Sequence, residues 1–192
     1  MPERHDLDAC RRCSLWEHAT QSVPGAGPKN ARMVFVGEQP GDEEDRQGLP
    51  FVGPAGRLLR SLMVAASIDV KRVYLTNAVK HFGWVLRGKR RMHKTPAQRQ
   101  VEACRTWLAI EIAHLRPKVI VALGVTALFA VLGRRVTLRE ARQLRLSLDD
   151  GTPVIATFHP SALLRAPDVA TREELTHALL ADLRRAASLA GA

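Results

Sequence analysis

The chain has 192 residues, 46% of them hydrophobic and 25% charged, which is enough for one well-buried globular core and too little for two full domains. Its formal net charge is +10, mostly carried by arginine, which forks onto phosphate and stacks on bases; nucleic acid is the leading partner, although arginine and alanine richness could also reflect genome composition. No apolar run reaches the length of a membrane span and the N-terminus lacks the apolar stretch of a signal peptide. The expectation is therefore a cytoplasmic protein with no membrane partner, whose three cysteines serve metal ligation, redox chemistry or burial rather than disulfides.

In chain order, Cys10 and Cys13 form a Cys-x2-Cys pair that could clasp a metal or a cluster. A complete site needs about four ligands; Cys104 is the remaining cysteine and His81 could supply the fourth, while free thiols are the alternative. A turn-rich linker leads to a buried strand at Met33 to Val36. A long loop rich in Gly, Pro and acid follows, then a helix opening at Pro54 with Leu58, Leu59, Leu62, Met63 and Ala66 on one face. The next strand is Val73 to Thr76. Thr95-Pro96-Ala97-Gln98 offers a cap, a first-turn proline and a capping-box glutamine for a helix whose apolar stripe includes Val101, Cys104, Leu108, Ile112 and Leu115. Val119 to Leu123 is a fully apolar strand, followed by a short helix to Leu132. Leu144, Leu146 and Leu148 alternate as an added strand, Val154 to Phe158 is the last parallel strand, and an amphipathic helix runs from about Thr171 to Leu189.

This alternation predicts a three-layer α/β/α sandwich around a central, mainly parallel four-stranded sheet, in which ligands bind beyond the carboxyl ends of the strands. Glu38 and Gln39 follow the first strand, Asn77 the second and His159 the last, so one crevice could gather a carboxylate, two amides and an imidazole. Gln39 and Asn77 each present a donor beside an acceptor, the pattern that reads a base edge, though an Asn after a strand is commonly a turn residue. Phe51, on a glycine-flanked loop, could stack on a planar ligand or could be core. The run from Arg87 to Lys94 is the densest basic stretch and reads as a long loop on the ligand side, where Lys89, Arg90, Arg91 and Lys94 suit phosphate contact better than a merely solvated face. Within it His93 has no evident structural purpose and could serve as base or nucleophile. His159-Pro160-Ser161-Ala162-Leu163-Leu164-Arg165 sets an imidazole before apolar side chains that suit a wedge into a duplex, or simply a packed segment.

These motifs resemble a known family. Gly37-Glu38-Gln39-Pro40-Gly41 with Asp42, Glu44 and Asp45, then Gly48-Leu49-Pro50-Phe51-Val52-Gly53, is similar to the first motif of the iron-sulfur uracil-DNA glycosylases. Leu75-Thr76-Asn77-Ala78-Val79-Lys80 and His159-Pro160-Ser161 resemble that family's second and last motifs, in the same order. Lys89-Arg90-Arg91-Met92-His93 resembles the basic insertion of its X class, as do Gln39 and His81, where other relatives have Ala and Cys.

The resemblance implies a single domain over residues 1–192, with residues 1–30 as a cluster-binding segment, and a [4Fe-4S] cluster held by Cys10, Cys13, His81 and Cys104. It implies a monomer that acts on uracil-containing DNA and cleaves the N-glycosidic bond of a flipped deoxyuridine. Asn77 and Gln39 would read the base, Phe51 would stack on it, His159 would hydrogen-bond the departing uracil, and Glu38 and Gln39 would assist at the sugar. Ser161 and Arg165 would join the basic residues in contacting DNA. In the X class His93 would attack the sugar and leave the protein covalently attached. An ordinary hydrolytic glycosylase and a non-catalytic uracil-DNA binding module are the alternatives.

Overall fold

In the computed structural model, which describes residues 1–191, the chain is organised by a five-stranded sheet. Its parallel strands are β1 (Met33–Gly37), β2 (Val73–Asn77), β5 (Val119–Leu123) and β7 (Pro153–Thr157); a two-residue antiparallel strand, β6 (Leu146–Ser147), lies at the edge. The order is β2-β1-β5-β7-β6. β1, β2 and β5 are buried at every position; β1 and β5 accordingly read as unbroken apolar runs, whereas β2 ends in the buried polar pair Thr76 and Asn77.

One face is covered by α3 (Pro54–Ala65) and α8 (Val169–Ala190), whose Leu59, Leu62, Met63, Leu179 and Leu183 pack on Phe35, Val121 and Ile155. The other carries α4 (Gln98–Leu115), α5 (Val125–Leu132) and α6 (Leu138–Gln143), with Val101, Cys104, Leu108 and Leu128 against Val34, Ile120 and Ala122. The four parallel strands and the two-sided helical cover are those expected; the sheet has five strands rather than four because β6 pairs with β7, and α6 was not foreseen. The cap of α4, however, lies two residues beyond the proposed Thr95: Ala97 stands at the cap position, and its N–H is taken by the Gln100 side chain at 2.8 Å.

The N-terminal segment lies along the sheet edge. Its short α1 (Arg4–Asp8) is tied to the body by Arg4, which donates to Gly48 O at 2.8 Å. Ala26 exchanges two backbone hydrogen bonds of 2.8 Å with Leu75 of β2, covering an edge that would otherwise be open.

Two segments differ from the sequence expectation. The acidic loop contains α2 (Asp42–Gln47), where four carboxylates fill a helix's first turn, a position favoured by the helix dipole. The basic stretch is not a loop but a two-stranded hairpin, β3 (Trp84–Arg87) and β4 (Arg90–His93), turning on Gly88 with φ of 61°.

Candidate active site

The strand order reverses at β1: the chain leaves it through α2 and α3 to β2 on one side, then returns through the hairpin and α4 to β5 on the other. Such a switch point opens a crevice at the carboxyl ends of its strands. Glu38, the residue after β1, stands there, and its Oε2 accepts from the hydroxyl of Thr126, at the start of α5 beyond β5, at 2.6 Å. Its Oε1 lies 3.2 Å from Nε2 of His93 at the end of β4. Burial alone would raise the Glu38 carboxyl; hydrogen bonds from His93 and Thr126, with the field of His93 and His159, outweigh it and hold the group below its usual range.

Asn77 is level with Gly37 in the parallel register. A Cβ on residue 37 would lie 2.4 Å from Asn77 Oδ1 and 2.7 Å from Phe51 Cζ, so the bare glycine lets an amide and an aromatic edge converge over β1. Phe51 reaches this place through a backbone φ of 57°, rare for a large side chain, and it is buried in the core beneath α3. Of the two readings left open, the core one holds for its buried ring, which also borders the crevice through His159. Its ring stacks at 28° to His159, with centroids 6.4 Å apart.

His159 caps the short α7 (Pro160–Leu164), its Nδ1 accepting the Ser161 N–H at 3.1 Å and lying 2.7 Å from Ser161 Oγ. With Nδ1 so used as an acceptor, the ring's proton sits on Nε2. Burial pushes the imidazole down to about 4, against the pull of Glu38, so at neutral pH it is an uncharged hydrogen-bond donor. The apolar pair that follows divides: Leu163 is core, whereas Leu164 is exposed, as is Arg165.

Two of the expected site residues have hydrogen-bond partners within the protein. The Gln39 amide is not free to read a base, because its Nε2 donates to the carbonyls of Gly83 and Lys94 at 3.0 and 3.1 Å and its Oε1 accepts from Gly83 N at 3.1 Å. These residues flank the hairpin, so Gln39 clamps its base and thereby sets the height of His93. Arg91 is not available to phosphate either. Its Nε donates to Asp42 Oδ1 at 2.5 Å and its Nη1 to Asp45 Oδ2 at 2.6 Å, and it lies over Phe82 and Trp84. Lys89, Arg90 and Lys94 are exposed on the same hairpin and its foot. Of the acids in the first motif Glu38 alone meets His93; Glu44 closes Gly41 N and Gly53 N, and Glu43 pairs with Arg57.

Cys10, Cys13, His81 and Cys104 line one pocket with Leu7, Lys80 and Trp107. Among the described residues no three His, Cys, Asp or Glu side chains converge as a single ion requires. Three thiols and an imidazole around one pocket are a donor set of the kind that holds an iron-sulfur group, and the Trp107 indole N–H, donating to Cys10 Sγ at 3.4 Å, is the kind of outer hydrogen bond that a ligating sulfur receives. Burial pushes the Cys104 thiol up to about 12 and raises Cys13, and it lowers His81; loading must therefore release protons from the thiols.

Residues 24–184 match the model of the uracil DNA glycosylase superfamily. The chain belongs to that superfamily. It is 40% identical over 180 residues to a type-4 uracil-DNA glycosylase of Thermotoga maritima, covering 93% of this chain and 88% of the relative. A type-4 uracil-DNA glycosylase of Archaeoglobus fulgidus is 34% identical over 176 residues, covering 88% and 84%. Against that superfamily background, Thr126, which sequence reasoning missed, is a component of the crevice. The signal was present: Gly124-Val125-Thr126 follows the third parallel strand, and the carboxyl-end rule applies there as much as after β1. No helix among the described residues is long and apolar enough to cross a membrane.

Proposed function

We propose that the protein excises uracil from DNA and captures the resulting sugar on His93. The observation that carries this reading is the contact of 3.2 Å between His93 Nε2 and Glu38 Oε1, at the carboxyl end of β1 in a chain of this superfamily. A flipped deoxyuridine would lie over Phe51, with its edge read by Asn77. As the bond between C1′ and the base nitrogen breaks, its electron pair leaves with the base. The Nε2–H of uncharged His159 donates to the uracil carbonyl on which that charge grows. The neighbouring carboxylate of Glu38 stabilises the cationic sugar.

Nε2 of His93 then bonds C1′, its proton passes to Glu38, and the departing uracil takes up a proton from solvent. A fixed imidazole competes with water through its high effective concentration. Gln39 and Arg91 act here as positioning residues, since they hold the hairpin that delivers His93. Lys89, Arg90, Lys94, Ser161 and Arg165 supply contacts to the strand, the cations by phosphate neutralisation.

Cys10, Cys13, His81 and Cys104 would hold a [4Fe-4S] cluster. Its contribution is a cross-link joining the N-terminal segment to α4 and to the turn after β2. The test is incubation with a uracil-containing oligonucleotide, followed by a denaturing gel and assay of free base. A slow-migrating adduct together with released uracil is expected. Release with turnover and no adduct would reduce the protein to an ordinary hydrolytic glycosylase, and binding with neither would make it a binding module.

A further inference from the structure

Lys80 is a fully buried cation, 1% exposed, and its ammonium makes three hydrogen bonds: to Glu111 Oε2 at 2.7 Å, Thr76 Oγ1 at 2.6 Å and the carbonyl of Asn77 at 3.1 Å. All three ammonium donors are therefore used. Glu111, equally buried on α4, also accepts from Thr76 Oγ1 at 2.8 Å and from Gly25 N at 3.2 Å. A buried ion pair is a poor way to gain stability, because well-packed apolar side chains of the same volume commonly do as well. An apolar side chain cannot, however, donate to the Asn77 carbonyl.

That carbonyl lies where the β-ladder stops. The Gly37 to Asn77 pair is the last in the register of β1 with β2, and beyond it the N–H groups of Ala78 and Val79 turn back onto the carbonyls of Gly37 and Glu38 at 2.8 and 3.1 Å. The Asn77 carbonyl is left to the Lys80 side chain, which closes the turn from three residues downstream. Fixing that carbonyl fixes the peptide plane after Asn77 and so steadies the direction in which its amide leaves the backbone. Lys80 also faces the cluster pocket: its backbone N–H meets Cys104, and its carbonyl accepts from Val23 N at 2.8 Å.

We infer that Lys80 and Glu111 are positioning residues that hold the Asn77 amide in register for the uracil edge, and that they join this register to the pocket formed by Cys10, Cys13, His81 and Cys104. The inference rests on the reading of Asn77 as the residue that recognises uracil. The pair ties three parts of the chain to one peptide: β2, which ends at Asn77, α4, which brings Glu111 and Cys104, and the linker at Gly25. Misplacing a recognition group by about 1 Å can cost on the order of a hundredfold in rate.

The test compares wild type with Lys80→Met, Glu111→Gln and the double variant. Lys80→Met leaves a buried carboxylate without its cation and can fail to fold; the double variant removes both charges at nearly constant volume and keeps the question answerable. The readouts are the melting temperature, the affinity for a uracil-free oligonucleotide by fluorescence anisotropy, and the single-turnover rate of uracil release at limiting and saturating uracil-DNA. In the double variant the inference expects a melting temperature within a few degrees of wild type, unchanged affinity for uracil-free DNA, and a rate at limiting substrate at least tenfold lower. An unchanged rate in the folded double variant would overturn it, and so would a fall matched by an equal loss of affinity for uracil-free DNA. Wild type that releases no uracil would instead reject the underlying reading of Asn77, and the two failures are distinguishable.

Discussion

Arg91 and Asp45 form an ion pair of 2.6 Å in which the carboxylate is completely buried and also accepts the Thr20 N–H at 2.9 Å. Through it the hairpin is fastened to α2, the helix inside the first motif. Removing one partner of a buried pair costs about 3–5 kcal/mol, because the other is left uncompensated. Arg91→Ala should therefore lower the urea midpoint by an amount in that range, and Arg91→Lys, which cannot fork onto both Asp42 and Asp45, should recover part of it. Denaturant titration checks this. A loss below about 0.5 kcal/mol, as for an exposed phosphate contact, would mean that the pair does not hold the hairpin.

Gln39→Ala should release the foot of the hairpin while leaving Asn77, Phe51 and His159 in place. The expected result is a lower ratio of covalent adduct to free uracil, with base release retained as water reaches the sugar. Quantifying both products from one reaction checks the prediction. An equal loss of both products would return Gln39 to the base-reading role that its hydrogen bonds argue against.

The depressed imidazole of His159 makes stability depend on pH. The unfolded chain takes up a proton as pH falls below about 6.5, whereas the folded chain resists until about 4, so stability should decline as pH falls through that window. Glu38 acts in the same direction but lower, its contribution being lost as pH falls below the ordinary carboxylate value of 4.5 and through its own depressed one. Thermal melts at pH 7 and pH 5 should show a smaller drop for His159→Asn than for wild type. Because burial also lowers His81, the difference between the two proteins is the quantity to read. Identical drops would place the imidazole in water.

If the pocket at Cys10, Cys13, His81 and Cys104 holds an iron-sulfur group, protein purified without oxygen should be brown and contain iron and sulfide. Cys104→Ser should lose colour and iron and melt at lower temperature. A colourless, zinc-loaded and fully active preparation would contradict the cluster.

The sheet was legible because strands buried on both faces are mostly apolar, their polar residues Thr76, Asn77 and Thr157 coming at the carboxyl ends, and the crevice was legible because its residues follow strand ends. The hairpin was not. β3 and β4 are largely exposed and have no buried alternation to read, and the clamp that fixes them comes from Gln39, more than forty residues away in sequence. A cue was available in Gly88, which opens a two-residue turn where positive φ is required. The acids of the first motif misled for a related reason: charge at the ligand end of a strand also marks a helix's first turn, and what separates the two is the partner of each carboxylate. Nothing in the sequence marks Lys80 as buried; its burial goes with Glu111 arriving on α4.

The most direct measurement of the central claim is the covalent adduct formed by His93→Ala, run beside wild type and Lys94→Ala on a denaturing gel, with the modified peptide of the wild-type adduct mapped by mass spectrometry. The account predicts an adduct on His93 in wild type, none in His93→Ala with uracil release retained, and a normal adduct in Lys94→Ala that needs more DNA to form, since that side chain lends only phosphate contact. An undiminished adduct from His93→Ala, or a wild-type adduct mapped to any other residue, would contradict it.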